Sequence, residues 1–459
     1  MSGIPLIIAF VIAIVLMIVL ISKFKVHPFL AIMGISVVFA LVAGIPLTKT
    51  GDVNGSTDVI SAGFSGTFTS NGLVIIFGAL IGTLLEKTGA ALKMADCVVK
   101  LVGKKRPELA LLIMGWIVSI PVFCDSGFVI LDPIRKALVK RTGRSSVACT
   151  VALSMGLYIS HCFIPPTPGP IAAANTLFGG IGQEPNLLLV MGIGALASIL
   201  PLIAGYIFAM FIGKKVKATD EADNGDETVQ TYEELVKSYG KLPNAWLSFA
   251  PIVVPVILMG LSSALSMAKA SVPIFSFLGT PIIAIAVGAI LAIILMGLMG
   301  KMNIFYETTN ECLKTVGPIL FITAAGGVLG KVIASTSMVS YIKENAEFLS
   351  TMGIFFPFLI AAILKSAQGS STVAITTTAG ILAPLMASLG LATPVMAALT
   401  VVAIGAGAMT VSHANDSYFW VVTNFGNMSV EDGYKTQTLG TLVIGIASVI
   451  GVFIISLFV

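Results

Sequence analysis

Charge is scarce in this chain. Only 10% of its 459 residues are Asp, Glu, Lys or Arg, while 56% are hydrophobic. Soluble domains carry about 25% charged residues, so a soluble globular protein is excluded. Histidine occurs only three times and cysteine five. Cys97, Cys124, Cys149, Cys162 and Cys312 have no paired spacing, so neither a disulfide framework nor a zinc site is visible. There is no Walker A loop, no GxGxxG opening a helix and no HExxH. That argues against an ATP-driven pump, and no cofactor or metal is expected. A membrane-embedded enzyme is weighed as a separate class, but no nucleophile–base spacing supports it.

What the chain has is long apolar runs, with a mean hydropathy of +1.01. A helix needs roughly 20 apolar residues to cross a bilayer. Ten full spans are read at about 4–21, 27–46, 72–87, 146–180 (interrupted), 186–212, 246–268, 276–300, 316–332, 394–426 (interrupted) and 436–458. The first has no basic residue before it and no small-residue cleavage site after it, so it reads as a retained span rather than a signal peptide. The expected fold class is an all-α polytopic membrane protein.

Cytoplasmic loops collect Lys and Arg. Lys23 and Lys25 follow the first span, which puts the N-terminus outside. With the spans alternating from there, 21 of the 26 basic residues fall on one face and four on the other, Lys365 remaining apart. Ten spans return the C-terminus to the outside as well. The one long polar stretch, 213–245, lies on the basic face and reads as a cytoplasmic linker.

The halves on either side of that linker echo each other. Gly72 and Gly82 meet Gly317 and Gly327 at an offset of 245, which also carries Asp125 onto Ser370. The pair 160-SH-161 meets 412-SH-413 at an offset of 252. Each half, 1–212 and 246–459, has five spans. Because five is odd, the second half starts on the opposite face, giving an inverted repeat, a common construction among secondary transporters.

Two apolar segments do not fit as simple spans. The one at about 108–142 has basic residues at both ends and arms of about 13 apolar residues, too short to cross. It reads as a re-entrant hairpin turning at 123-FCDSG-127. Its mate, at about 352–389, turns at 366-SAQGSS-371. Polar, irregular backbone survives at membrane depth only where it faces protein or a water-filled pathway. The interrupted spans supply two more breaks, 165-PPTPGP-170 and the polar run around His413, Asn415, Asp416 and Ser417.

These four breaks define the candidate substrate site. Hydroxyls of Ser126, Thr167, Ser370, Ser371 and Thr372 suit a carboxylate and substrate hydroxyls. Gln368, His413 and Asn415 add directional hydrogen bonds, and Gly127 and Gly369 leave the turns' backbone donors open. Asp125 and Asp416 lie in hydrophobic surroundings and are the leading proton carriers, with His161 and His413 as rivals. Lys365 pairs a carboxylate or snorkels outward. The reading is an importer of a small organic anion. The alternatives kept open are an amino-acid/proton symporter, with an aspartate meeting the ammonium, and a passive channel for small organic anions.

The motifs FCDSGFVIL, PPTPGPIAAAN, AQGSSTVA and SHANDSYFW, in this order, resemble the gluconate permease (GntP) family of the ion transporter superfamily. The resemblance covers almost the whole chain. It implies proton-coupled uptake of gluconate or related hydroxy acids, and D-serine for some members; the expected location is the bacterial inner membrane, and no nucleic-acid partner is expected. It further implies a scaffold and a mobile transport domain, elevator-like alternating access, and a homodimer. Sodium-dependent dicarboxylate relatives in the wider superfamily use Ser-Asn-Thr tips, whereas the tips here read CDSG and QGSS.

Overall fold

Within a bilayer every backbone N–H and C=O must be satisfied inside its own segment, so apolar runs become helices. The computed structural model describes residues 2–51, 53–102, 106–218, 241–267, 272–338, 341, 352–413 and 416–459. Most of the expected linker, and Asn415, lie outside the described residues, as do the side chains of Ser126 and Gln368. Among the described residues, eight segments are long and apolar enough to cross a membrane: Ile4–Ile21, Ser56–Thr88, Ser146–Gly180, Leu187–Ile212, Ala245–Ser262, Pro281–Leu298, Met302–Ala334 and Val430–Ser456. The other two of the ten expected spans are shorter. Pro28–Ala43 is a 16-residue helix, and 394–426 divides into Pro394–Met409 and Ser417–Phe425.

Two helices are much longer than their hydropathy suggests. Ser56–Thr88 has 33 residues and Phe305–Ala334 has 30. Both begin well before the expected starts at 72 and 316. The extra turns of the first helix are rich in Gly, Ser and Thr. They are helical because small residues let the two long helices touch. A Cβ on Gly63 would lie 2.8 Å from the Val328 Cα, and one on Gly327 would strike the Thr67 side chain.

The first hairpin consists of Pro107–Val118 and Cys124–Thr142. Its turn is 119–123, four residues earlier than expected. Pro121 falls in this turn, and the Ser119 hydroxyl donates to the Val122 carbonyl at 2.8 Å. FCDSG is therefore not the loop, because Cys124 opens the returning helix. In the second hairpin, Phe355–Gln368 and Ser371–Leu382 are separated by two residues only. Gly369 ends the first arm at φ +90°, a left-handed conformation suited to glycine. Ser370 caps the second arm, accepting from the Val373 N–H at 3.3 Å.

The first broken helix runs Ser146–Phe163 and Pro168–Gly180. The second is Pro394–Met409 and Ser417–Phe425. The first arm of each hairpin packs closely against a broken helix. A Cβ on Gly156 would fall 2.0 Å from the Leu112 carbonyl oxygen, and one on Gly407 would fall 2.2 Å from that of Phe358. In each case a glycine on the broken helix lets the backbone of the first hairpin arm approach.

Candidate functional site

Asp416 is the hub. It lies in the break of the second broken helix, 4% exposed, and caps Ser417–Phe425 by accepting from the Tyr418 N–H at 3.1 Å. Its other oxygen, Oδ2, accepts from three groups. These are the Lys365 ammonium at 2.5 Å, the Ser412 hydroxyl at 2.5 Å and the Tyr158 hydroxyl at 3.3 Å. Lys365 is fully buried and also donates to the Gly369 carbonyl at the second hairpin's turn. One ion pair thus joins the second hairpin to the second broken helix, and Tyr158 adds the first broken helix.

The break itself is anchored from behind. Val411 stands at φ +59°, a conformation that β-branched residues rarely adopt. The backbone of Ser412 is held on both sides. Its carbonyl accepts from the Thr438 hydroxyl at 2.6 Å, and its N–H donates to the Thr441 hydroxyl oxygen at 2.9 Å. Tyr434–Thr438 is a π-helical turn, and such turns occur frequently at functional sites.

Asp125 lies in the first turn of the first hairpin's returning helix. It accepts from the Ser417 hydroxyl at 3.0 Å and from the Cys124 thiol at 3.5 Å. Among the described residues no cation pairs with it. Ser417 begins the helix that Asp416 caps, so the two carboxylates share one helix N-terminus. The contacts link Asp125, Ser417, Asp416, Lys365 and Gly369 in a continuous chain. Three helix N-termini therefore meet, those of Cys124–Thr142, Ser371–Leu382 and Ser417–Phe425.

The other expected residues are distributed around this hub. Ser371 lies beside the Tyr158 hydroxyl and the Cys162 thiol. Thr372 is buried one position farther along the arm. His413 is half-buried, with Nε2 3.0 Å from the Ser366 carbonyl of the second hairpin. Its expected twin, His161, sits differently, inside its helix and 3% exposed. The His161 ring lies 5.9 Å from that of Phe123, and its Nδ1 has no hydrogen-bond partner among the described residues. The Thr167 hydroxyl is committed to the break, donating to the His161 and Ile164 carbonyls at 2.9 Å each. Gly127 packs tightly, because a Cβ there would lie 2.7 Å from Leu157 Cδ2.

Three contributors are not among the candidate site residues read from the sequence. Tyr158 is one tyrosine in an apolar helix and carries no local signal. Ser412 stands four residues before Asp416, a spacing that hints at their contact. Ser417 stands out only as part of the polar break. A second buried ion pair lies nearby. Arg135, fully buried, donates to Asp132 at 2.6 Å, to the Ser146 hydroxyl at 2.7 Å and to the Phe425 carbonyl at 3.1 Å. It ties the first hairpin to the start of one broken helix and the end of the other.

The whole chain is similar to known permeases. Residues 4–458 match the GntP family permease model. An uncharacterized permease of Haemophilus influenzae is 34% identical, with 98% of this chain and 92% of that protein covered. The high-affinity gluconate transporter of Escherichia coli is 28% identical, with 99% of each covered. Among solved structures, Neisseria gonorrhoeae MtrF, described as illuminating a class of antimetabolite efflux pumps, superposes with a TM-score of 0.67 over 95% of this chain and 96% of its own, at 16% identity. That last likeness concerns the fold alone. A multi-pass helical chain matched over nearly its full length by one permease model belongs to that family: this protein is a member of the GntP permease family of membrane transporters.

Proposed function

We propose that this protein is a proton-coupled importer of gluconate or a closely related small hydroxy monocarboxylate in the bacterial inner membrane. The observation that carries the reading is the meeting of three helix N-termini around Asp125 and Asp416. Each N-terminus brings a partial positive charge to an anion, and the Asp416 and Ser370 caps each engage only one of their helix's first-turn N–H groups. The gluconate transporter among its relatives supports the choice of substrate. Lys365 already neutralises Asp416, so Asp125 is the unbalanced carboxylate. A monocarboxylate settles beside it when a proton arrives too, which is symport. The same unbalanced carboxylate favours a second reading, D-serine uptake, in which Asp125 meets an ammonium group.

Uptake into proteoliposomes under an imposed pH gradient, without sodium, tests the first reading. Labelled gluconate accumulates, and an uncoupler collapses the gradient of substrate. Accumulation that requires sodium, or no accumulation at all, refutes proton-coupled gluconate uptake. Strong inhibition by D-serine but not by sugar acids selects the second reading. Ser370→Ala or Ser371→Ala weakens binding by about 1–3 kcal/mol, the cost of stranding a polar partner. Thr378→Ala does much less, since the Thr378 hydroxyl has no hydrogen-bond partner among the described residues. Equal affinities for all three variants would remove the second hairpin's turn from the site.

The two halves form an inverted repeat in this reading, each hairpin entering and leaving on one face. Pro107 and Gly143 bracket the first hairpin; a side chain at Gly143 meets nothing within 4 Å but is strained by the left-handed φ of +62°. Cysteines placed at the two positions react from the same, cytoplasmic side. Labelling from opposite sides would make the hairpin a full span.

A further inference from the structure

A cavity of about 430 Å³ lies away from the hairpin turns. Gly380 lines it, nine residues beyond Ser371, or about 14 Å along the helix. One wall comes from the two long helices, through Gly63, Thr67, Gly327 and Lys331. The other comes from the ends of Pro168–Gly180 and Ser371–Leu382. Glycines bring these backbones together without filling the space between them. A Cβ on Gly330 would lie 2.3 Å from the Gly380 carbonyl oxygen, and one on Gly180 would lie 2.5 Å from that of Ala383.

The lining has a definite chemistry. Thr67 and Thr176 bring hydroxyls and Asn175 brings an amide, while Lys331 is the only charged residue among the described lining residues. Among the described residues no carboxylate lines the cavity and none pairs with Lys331. Asp58, one turn before Ala62 on the same helix, is already engaged, accepting from the Gly55 N–H at 3.0 Å. An unpaired ammonium beside hydroxyls and an amide, in a cavity of ligand-binding size, suits a small hydroxylated anion.

We propose that this cavity is a second, collecting site for a small organic anion, with the carboxylate at Lys331 and substrate hydroxyls on Thr67, Thr176 and Asn175. It rests on the reading of the chain as an organic-anion transporter. The anion pauses here before reaching the hairpin turns, and the cation raises its local concentration.

Gly179 lines the cavity and has nothing within 4 Å of an added Cβ, so a cysteine fits there. In the purified full-length chain, Gly179→Cys is labelled with a sulfonate-bearing and a trimethylammonium-bearing methanethiosulfonate. Background from the unsubstituted chain is subtracted. Relative to a free thiol, the anionic reagent is favoured about fivefold, the size expected of one nearby charge in a partly screened site. Gluconate, the probe used, slows that labelling. Adding Lys331→Gln removes both the preference and the protection. A preference that Lys331→Gln leaves unchanged, or gluconate protection that is equal in both backgrounds, overturns the proposal. Failure of the transport reading is seen separately, as unsubstituted proteoliposomes that take up no gluconate.

Discussion

Replacing Asp125 with asparagine abolishes uphill, pH-driven uptake while exchange of substrate across the membrane persists. The asparagine side chain keeps the shape of the aspartate and still accepts from the Ser417 hydroxyl that Asp125 holds at 3.0 Å. The substitution removes the one carboxylate at the site that no described cation balances. Two like charges 4 Å apart repel by about 4 kcal/mol at an effective dielectric of 20, enough to slow or prevent binding of an anion beside an ionised Asp125. A proton on Asp125 removes that repulsion, so inward flux rises as the external solution is acidified. In Asp125→Asn the repulsion is absent at every pH. Binding and exchange lose their pH dependence, and the gradient no longer drives accumulation. Counterflow and net accumulation, measured in the same proteoliposomes, separate the two functions. Full pH-driven accumulation by Asp125→Asn would move the proton elsewhere, with His161 and His413 next in line.

The second large effect concerns Lys365 and Asp416. Both are buried, and each is the other's charge partner at 2.5 Å. Removing one member of a buried pair leaves an uncompensated charge and costs about 3–5 kcal/mol. Lys365→Met and Asp416→Asn each therefore destabilise the protein by that order. The double substitution recovers a substantial part of the loss, since no charge is then stranded. Thermal unfolding in detergent of the two single variants and the double variant measures the coupling. Losses that simply add would show that the pair does not act as a unit. Lys365→Met also releases the Gly369 carbonyl, so it impairs substrate binding even where the protein folds.

Helical class, both hairpins and both breaks are readable from local features, because hydropathy windows, flanking charge and proline runs act over a few residues. The starts of the long helices are not. The segment 56–71 looks like a loop because its hydropathy is low, yet it is helical through contacts with residues some 265 positions away, Gly63 against Val328 among them. The first turn is misplaced by the same logic. CDSG is polar and reads as a turn, while Pro121, inside an apolar run, is where the chain bends. The candidate-site residues Asp125, Ser371, His413 and Asp416 are legible as polar residues in apolar surroundings. Their partnerships are not. Lys365 and Asp416 are 51 residues apart, and Tyr158 reaches Asp416 across 258. No spacing rule extends over such separations.

Arg135 gives the nine-residue helix Ser417–Phe425 a mechanical character. One end carries the Asp416 cap and the contact from Ser417 to Asp125, and the other end is gripped by Arg135 through the Phe425 carbonyl. Both Asp125 and Arg135 belong to the returning helix of the first hairpin. The short helix is thus a strut of about 13 Å, pinned at both ends to a single neighbouring rod. Paired in this way, two rods cannot shear past each other without breaking one of the pins. Any displacement of the first hairpin carries Asp416, and with it the charge pairing at the second hairpin's turn, as one piece of machinery.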